Sequence, residues 1–196
     1  MNDIPTAVFL SGGGRTLANL IQARQQQGLP VDFRLVISSK ASAGGIQIAR
    51  DAGIETRVVR RADSPDDQAY QEAMFGPCRE VGAKLVLMAG YLKHVLIPDD
   101  YHGRVLNIHP SLIPAFCGAG MYGARVHQAA IDKGVKVSGC TVHLVDNHYD
   151  NGPIIVQRTC AVLPDDTAET LAARVFEQEC LAFPEAIREL VGRWPK

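Results

Sequence analysis

Three groups of residues in this 196-residue chain have the types and spacing to do chemistry. The first is Ser11-Gly12-Gly13-Gly14-Arg15-Thr16, which stands between an apolar run and a helical pattern. Glycines allow the backbone to turn tightly, and the exposed N–H groups at a helix start favour an anion. A dinucleotide fingerprint would need a further glycine where Leu17 stands and an acid near Ser38-Ser39-Lys40. A Walker A loop would need Gly-Lys-Ser/Thr, which is absent. The loop therefore suits a single phosphate, with an ordinary glycine-rich turn as the plain alternative. The second group is Asn107-Ile108-His109-Pro110-Ser111. Side chains alternate along a strand, so Asn107 and His109 share one face at its carboxyl end. Ligands of open α/β sheets bind at that end. A carboxamide in an apolar buried strand is costly unless paired, so a satisfied core pair is the competing reading. The third group runs from His143 through Asp146 and Asp150 to Gly152-Pro153. Either acid there can orient a histidine and hold it protonated. Asp150-Asn151-Gly152 is also good turn chemistry in its own right.

Two further positions stand out. Leu171, Val175 and Glu179 are spaced four apart, which lays a carboxylate along the apolar stripe of the last helix. It is either a rim residue or a ligand contact. Cys117 lies in the loop Phe116-Cys117-Gly118, where nothing nearby in the sequence lowers a thiol pKa, so it reads as inert.

The elements that must position these groups alternate regularly. Short apolar runs (7–10, 33–37, 56–59, 84–88) are separated by helical patterns beginning near residues 15, 45 and 65. Strands that are apolar throughout are buried on both faces, as in a parallel sheet covered by helices. The expected class is a doubly wound, mostly parallel α/β sheet. Residues 105–109 form a strand stopped by Pro110, and a glycine-rich loop leads to a short helix holding His127 to Ile131. Residues 137–145 and 153–162 are expected to pair as a C-terminal antiparallel extension. Asp166 followed by Glu169 has capping-box spacing and opens a final long helix to about Val191. With no linker or repeat, residues 1–196 read as a single domain.

Composition narrows the function classes. Lys plus Arg number 20 against 21 Asp plus Glu, a formal charge of −1, which leaves no basic footprint for nucleic acid or an anionic membrane. No apolar run approaches the roughly 20 residues of a membrane span. The start Met1-Asn2-Asp3-Ile4-Pro5 lacks the basic opening of a signal peptide. Five scattered cysteines without a CxxC pair read as reduced thiols of a cytoplasmic protein and not as a disulfide frame or zinc site.

The motifs Ser11-Gly12-x-Gly14, Asn107-x-His109-Pro110-Ser111-Leu112 and Asp150-x-Gly152-Pro153, with Val137 to His143 before the last, together resemble the glycinamide ribonucleotide formyltransferase family. The likeness runs from the first strand to the last helix. It implies a Rossmann-like formyltransferase fold and transfer of a formyl group from 10-formyltetrahydrofolate, as cosubstrate, to the amine of glycinamide ribonucleotide in purine biosynthesis. It also implies Asn107, His109 and Asp150 as catalytic residues. The substrate would meet Gly14, Arg15, Thr16 and Glu179. The folate would meet Leu92, Lys93, His94, Val95, Asn107 and Asp146. Arg15-Thr16 stands where the family commonly has Ser-Asn, and Lys93 where others have arginine. The resemblance implies small-molecule partners, no metal, no nucleic acid or membrane, and a monomer or weak homodimer. The alternatives are 10-formyltetrahydrofolate hydrolase or another formyltransferase of the same fold, although those relatives carry an extra domain for which this chain has no room. From other classes stand an NADP-linked reductase and a catalytically silent binding module. None of the five tyrosines has a lysine four positions later, as short-chain reductases require.

Overall fold

The computed structural model describes residues Asp3–Trp194, which fall into two compact units divided between Asn107 and Ile108. The first unit alternates strands and helices: β1 (Ile4–Leu10), α1 (Arg15–Gln27), β2 (Val31–Ser38), α2 (Gly45–Asp51), β3 (Glu55–Val58), α3 (Asp67–Glu80) and β4 (Leu85–Met88). β5 (Val105–His109) follows, and its last two residues belong to the second unit. β1 pairs in parallel with β2 and β4, β2 with β3, and β4 with β5. Every residue of Ala7–Leu10 and Leu85–Met88 is buried, as both-face coverage by helices demands. α1 buries Leu17, Leu20 and Ala23 and stops at Gly28 in the left-handed conformation. α3 starts where Asp66 accepts a hydrogen bond from the Ala69 N–H, and its Phe75 meets Phe9 of β1 edge-on at 5.5 Å between ring centres.

The second unit adds α4 (Ala124–Lys133), β6 (Val137–Leu144), β7 (Ile154–Ala161) and α5 (Ala168–Gly192). β6 and β7 are antiparallel, and the full strand order is β3-β2-β1-β4-β5-β6-β7. The fold is the expected one: a mostly parallel sheet, an antiparallel extension and a long final helix. Near its end the β6–β7 register slips: Val142 opposes Val156, but His143 opposes Ile154. Ile155 is the extra residue of a bulge, a device that re-aims neighbouring side chains.

The start of α5 differs from the sequence expectation. The cap is Thr167 and not Asp166: Thr167 and Thr170 exchange side-chain and backbone hydrogen bonds. Asp166 is taken by the Arg174 guanidinium, which donates to both carboxylate oxygens at 2.6 and 2.9 Å. A two-pronged charged pair outcompetes a single backbone N–H for the same carboxylate.

Among the described residues no helix is long and apolar enough to cross a membrane. Gly139 shows how tightly the antiparallel pair closes: a Cβ there would lie 2.0 Å from the Arg158 carbonyl oxygen of the facing strand. Gly139→Ala is expected to cost about 2–3 kcal/mol, lowering Tm by about 5–10 °C in a calorimetric scan. An unchanged Tm would mean that β6 and β7 are less closely apposed.

Candidate active site

His109 ends β5, and Asn107 stands two residues earlier on the same strand face. The His109 ring is 4% exposed and both nitrogens have protein acceptors. Nε2 lies 2.9 Å from the Phe116 carbonyl, and Nδ1 lies 3.5 Å from Oδ2 of Asp150. Asp150 is shared. Its Oδ1 faces His143 Nε2 at 3.7 Å, and its Oδ2 accepts the Gly118 N–H at 2.8 Å. His143 is 1% exposed and donates from Nδ1 to the Leu144 carbonyl at 2.8 Å, so its other nitrogen is the one turned to the acid.

Local structure explains how these groups meet. The bulge at the end of β6 sets the direction of His143. Asp150 holds φ of +50°, a left-handed conformation that aspartate tolerates better than most residues. Phe116 shares that conformation at φ +51°, in the loop that supplies both the Phe116 carbonyl and the Gly118 N–H. Thr141 pins the loop's start: its hydroxyl donates to the Ser111 carbonyl at 2.7 Å and accepts the Ile113 N–H at 3.0 Å. Ser111 then donates to the Ala115 carbonyl at 2.6 Å.

Burial would raise the Asp150 carboxyl, but the His143 hydrogen bond, the His109 charge and the Gly118 N–H together hold it below the usual carboxylate range. His109 departs from expectation. The sequence reading has an acid of the 146–150 turn hold a histidine protonated, whereas burial lowers the His109 pKa below the ordinary imidazole value. Asp150 and the Phe116 carbonyl pull upward without overcoming that burial, and His143 adds to the lowering. The resting ring is therefore biased toward neutral and poised to gain a proton once negative charge appears beside it.

The remaining sequence candidates fall into separate groups. Asp146 accepts from the His148 N–H and from Asn151 Nδ2, each at 2.8 Å, and so braces its own turn; it is Asp150 that meets the histidines. Glu179 is half-buried on α5, near enough to Cys140 of β6 to add to the burial that pushes this thiol up to about 12. The Cys117 thiol is likewise raised, by burial and then Asp150, as an inert thiol should be. His143 was not assigned from sequence, nor was the Gly118 N–H. The available signal was a histidine inside the buried run 140–143, which needs a polar partner.

The glycine-rich turn belongs to the first unit. Gly14 caps α1 at φ +81°, with Arg15 exposed and Thr16 half-buried in the first turn. A Cβ on Gly14 would sit 2.4 Å from the Gly45 Cα, whereas Gly12 and Gly13 have nothing within 4 Å and are exposed. Packing thus demands glycine at Gly14, while Gly12 and Gly13 line open space. The buried Ser11 hydroxyl accepts from Ser39 Oγ at 2.7 Å and from the Leu92 N–H at 3.0 Å. That bond ties the turn to the segment 92–95, in which Leu92 and Lys93 are exposed, His94 half-buried and Val95 buried. No group of three or more potential ligand side chains among the described residues could hold a metal ion.

Residues 5–187 match the family model for formyl transferases. The chain belongs to the formyl transferase family. Within that family it is 40% identical, over 94% of its length, to a chloroplastic phosphoribosylglycinamide formyltransferase of Vigna unguiculata, of which it covers 60%. An Arabidopsis thaliana protein of the same name is 38% identical over 92% of this chain and 63% of its own length. The chain thus spans about three fifths of these curated relatives. Among solved structures, glycinamide ribonucleotide transformylase 1 of Symbiobacterium toebii superposes with a TM-score of 0.91 at 37% identity, covering 99% of this chain and 91% of that one. Phosphoribosylglycinamide formyltransferase of Brucella melitensis gives 0.87 at 39% identity, covering 100% and 99%.

The two acids can be separated by experiment. Asp150→Asn removes the charge with little change of shape, so the His109 pKa should fall further when its titration is followed by NMR. Asp146→Asn should leave that titration where it was. An unmoved His109 in Asp150→Asn would show that the carboxylate does not act on the ring.

Proposed function

We propose that this protein transfers a formyl group from 10-formyltetrahydrofolate to the primary amine of glycinamide ribonucleotide. The observation that carries the reading is the buried pairing of His109 with Asp150 at the end of β5, two residues from Asn107, in a chain of this family. The names of its relatives support the choice of acceptor. The exposed backbone of Gly12 and Gly13 before α1 supports a phosphate contact in the first unit. The segment 92–95 is the proposed folate contact. All five cysteines are free thiols, which suits a reducing compartment such as the cytoplasm.

In the proposed reaction the amine nitrogen attacks the formyl carbon, and the carbonyl electron pair moves onto oxygen. Asn107 and the imidazolium form of His109 donate hydrogen bonds to that oxyanion. The ligand oxygen reaches His109 Nε2 by displacing the Phe116 carbonyl, which holds that nitrogen in the resting chain. Charge building on the oxygen raises the ring's pKa, so His109 takes up its proton as the tetrahedral centre forms. As that centre collapses, the bond from carbon to the folate nitrogen breaks and His109 passes its proton to the leaving nitrogen. The proton that His109 takes up is the one given up by the attacking amine, so protons and charge balance across the transfer. Asp150 remains ionised throughout and orients the ring.

The deciding measurement is folate deformylation followed by absorbance, with and without glycinamide ribonucleotide. Turnover that requires the ribonucleotide supports transfer, whereas formate release in its absence would show hydrolysis instead. His109→Ala and Asn107→Ala should each lower kcat by roughly 100-fold or more, with much smaller changes in ribonucleotide binding. Near-wild-type turnover in His109→Ala would remove the mechanism.

Gly13→Val tests the phosphate contact. Because Gly13 faces open space, the substitution should leave Tm within about a degree while raising ribonucleotide KM about tenfold or more. Gly14→Val, by contrast, should lower Tm through its clash with Gly45. A rise in folate KM alone for Gly13→Val would assign the turn to the other ligand.

A further inference from the structure

His127 lies on α4, one turn into the helix, and is 5% exposed. Its Nδ1 is buried and has no hydrogen-bond partner among the described residues. Leaving such an atom unsatisfied costs about 1–3 kcal/mol, and a helix interior offers many apolar side chains that would fill the space without that cost. The ring belongs to the same unit as His109 and lies close enough that charge on His109 disfavours charge on His127. Burial first, and then His109, push the His127 pKa below the ordinary value. Unlike His109, it has no carboxylate among the groups acting on it. A neutral imidazole with an open nitrogen beside the reacting histidine is suited to accept a hydrogen bond.

We propose that His127 is a substrate-binding residue whose Nδ1 accepts a hydrogen bond from the amine of the formyl acceptor. The inference rests on the reading of the function given above. The acceptor brings N–H groups to the carbon whose oxygen His109 binds, and the amine must be neutral, with its lone pair free, to attack. An acceptor at Nδ1 turns one amine N–H toward α4 and so directs the lone pair away from it. It also discriminates against a ligand without that N–H, because a site built around a polar group leaves that group unpaired when the ligand lacks it.

The test pairs a protein change with a ligand change. The ligands are glycinamide ribonucleotide and the acetamide ribonucleotide, in which a methyl group replaces the aminomethyl. Their dissociation constants are measured by calorimetry with His127→Leu, His127→Asn and His127→Gln. Wild type should bind the amine-bearing ligand about tenfold more tightly or better, a preference that disappears in His127→Leu. The carboxamide of asparagine falls near the position of Nδ1 and that of glutamine near Nε2. Accordingly His127→Asn should keep most of the preference and most of kcat/KM, and His127→Gln should lose both. If His127→Leu fails to fold, the asparagine–glutamine contrast decides the matter. An undiminished preference in His127→Leu, or retention by glutamine and loss by asparagine, overturns the proposal. Failure of the wild-type protein to bind either ribonucleotide would instead overturn the functional reading on which it rests.

Discussion

A carboxylate withdrawn from water stays charged only where compensating groups converge on it, and Asp150 has two imidazole nitrogens at 3.5 and 3.7 Å and the Gly118 N–H. Together they outweigh the burial that favours its neutral form. Much of the second unit's irregular structure follows from delivering those groups. The bulge in the β6–β7 pair sets His143, and the Thr141 hydroxyl anchors the loop that brings Gly118. The positive φ values of Phe116 and Asp150 are the backbone cost of the same arrangement. Removing any one of these groups would leave a buried charge under-compensated, which is far more costly than losing an exposed pair.

The same carboxylate gives His109 its range. Burial keeps the ring below its ordinary pKa, while Asp150 and the Phe116 carbonyl draw it back. A permanently charged imidazolium would hold its proton too firmly to give it up, and an isolated buried imidazole would not take one up. With its influences opposed, the ring in the proposed reaction gains a proton as the oxyanion develops and releases it as that charge disappears. The Phe116 carbonyl satisfies Nε2 until a ligand oxygen replaces it, so the ring is not left with an unpaired donor at rest.

How much of this could be read from residues alone varied with the kind of information. The apolar runs located β1 and β4 closely, because strands buried on both faces read as continuous apolar runs. Asn107 and His109 were legible for the opposite reason: polar groups in an apolar strand need a partner. The partner of His109 was not decidable by spacing, since Asp146 and Asp150 lie in one turn. The choice depends on which carboxylate the turn's backbone aims inward. The capping box at α5 misled because a bidentate arginine eight residues on competes for Asp166, a contact that a motif three residues long does not contain. His143 was passed over because one histidine in a strand looks like core until a second is placed beside the same acid.

The glycine-rich turn of the first unit achieves recognition by different means. A chain of net charge −1 has no general attraction for an anionic ligand, so the attraction must be local. In the proposed function, backbone N–H groups and a helix N-terminus provide it without a cationic side chain aimed at the ligand. Arg15-Thr16 is compatible with the proposed use, since the backbone geometry is set by Gly14 packed against Gly45. The tie from Ser11 to Leu92 extends this order to the next loop of the carboxyl edge. One buried hydroxyl, accepting from Ser39 and from a backbone N–H at once, holds the proposed phosphate turn and the proposed folate segment in a single register. Precise placement of two ligands relative to one another is a large part of accelerating a transfer between them, and in the proposed function this connection serves that placement within the first unit.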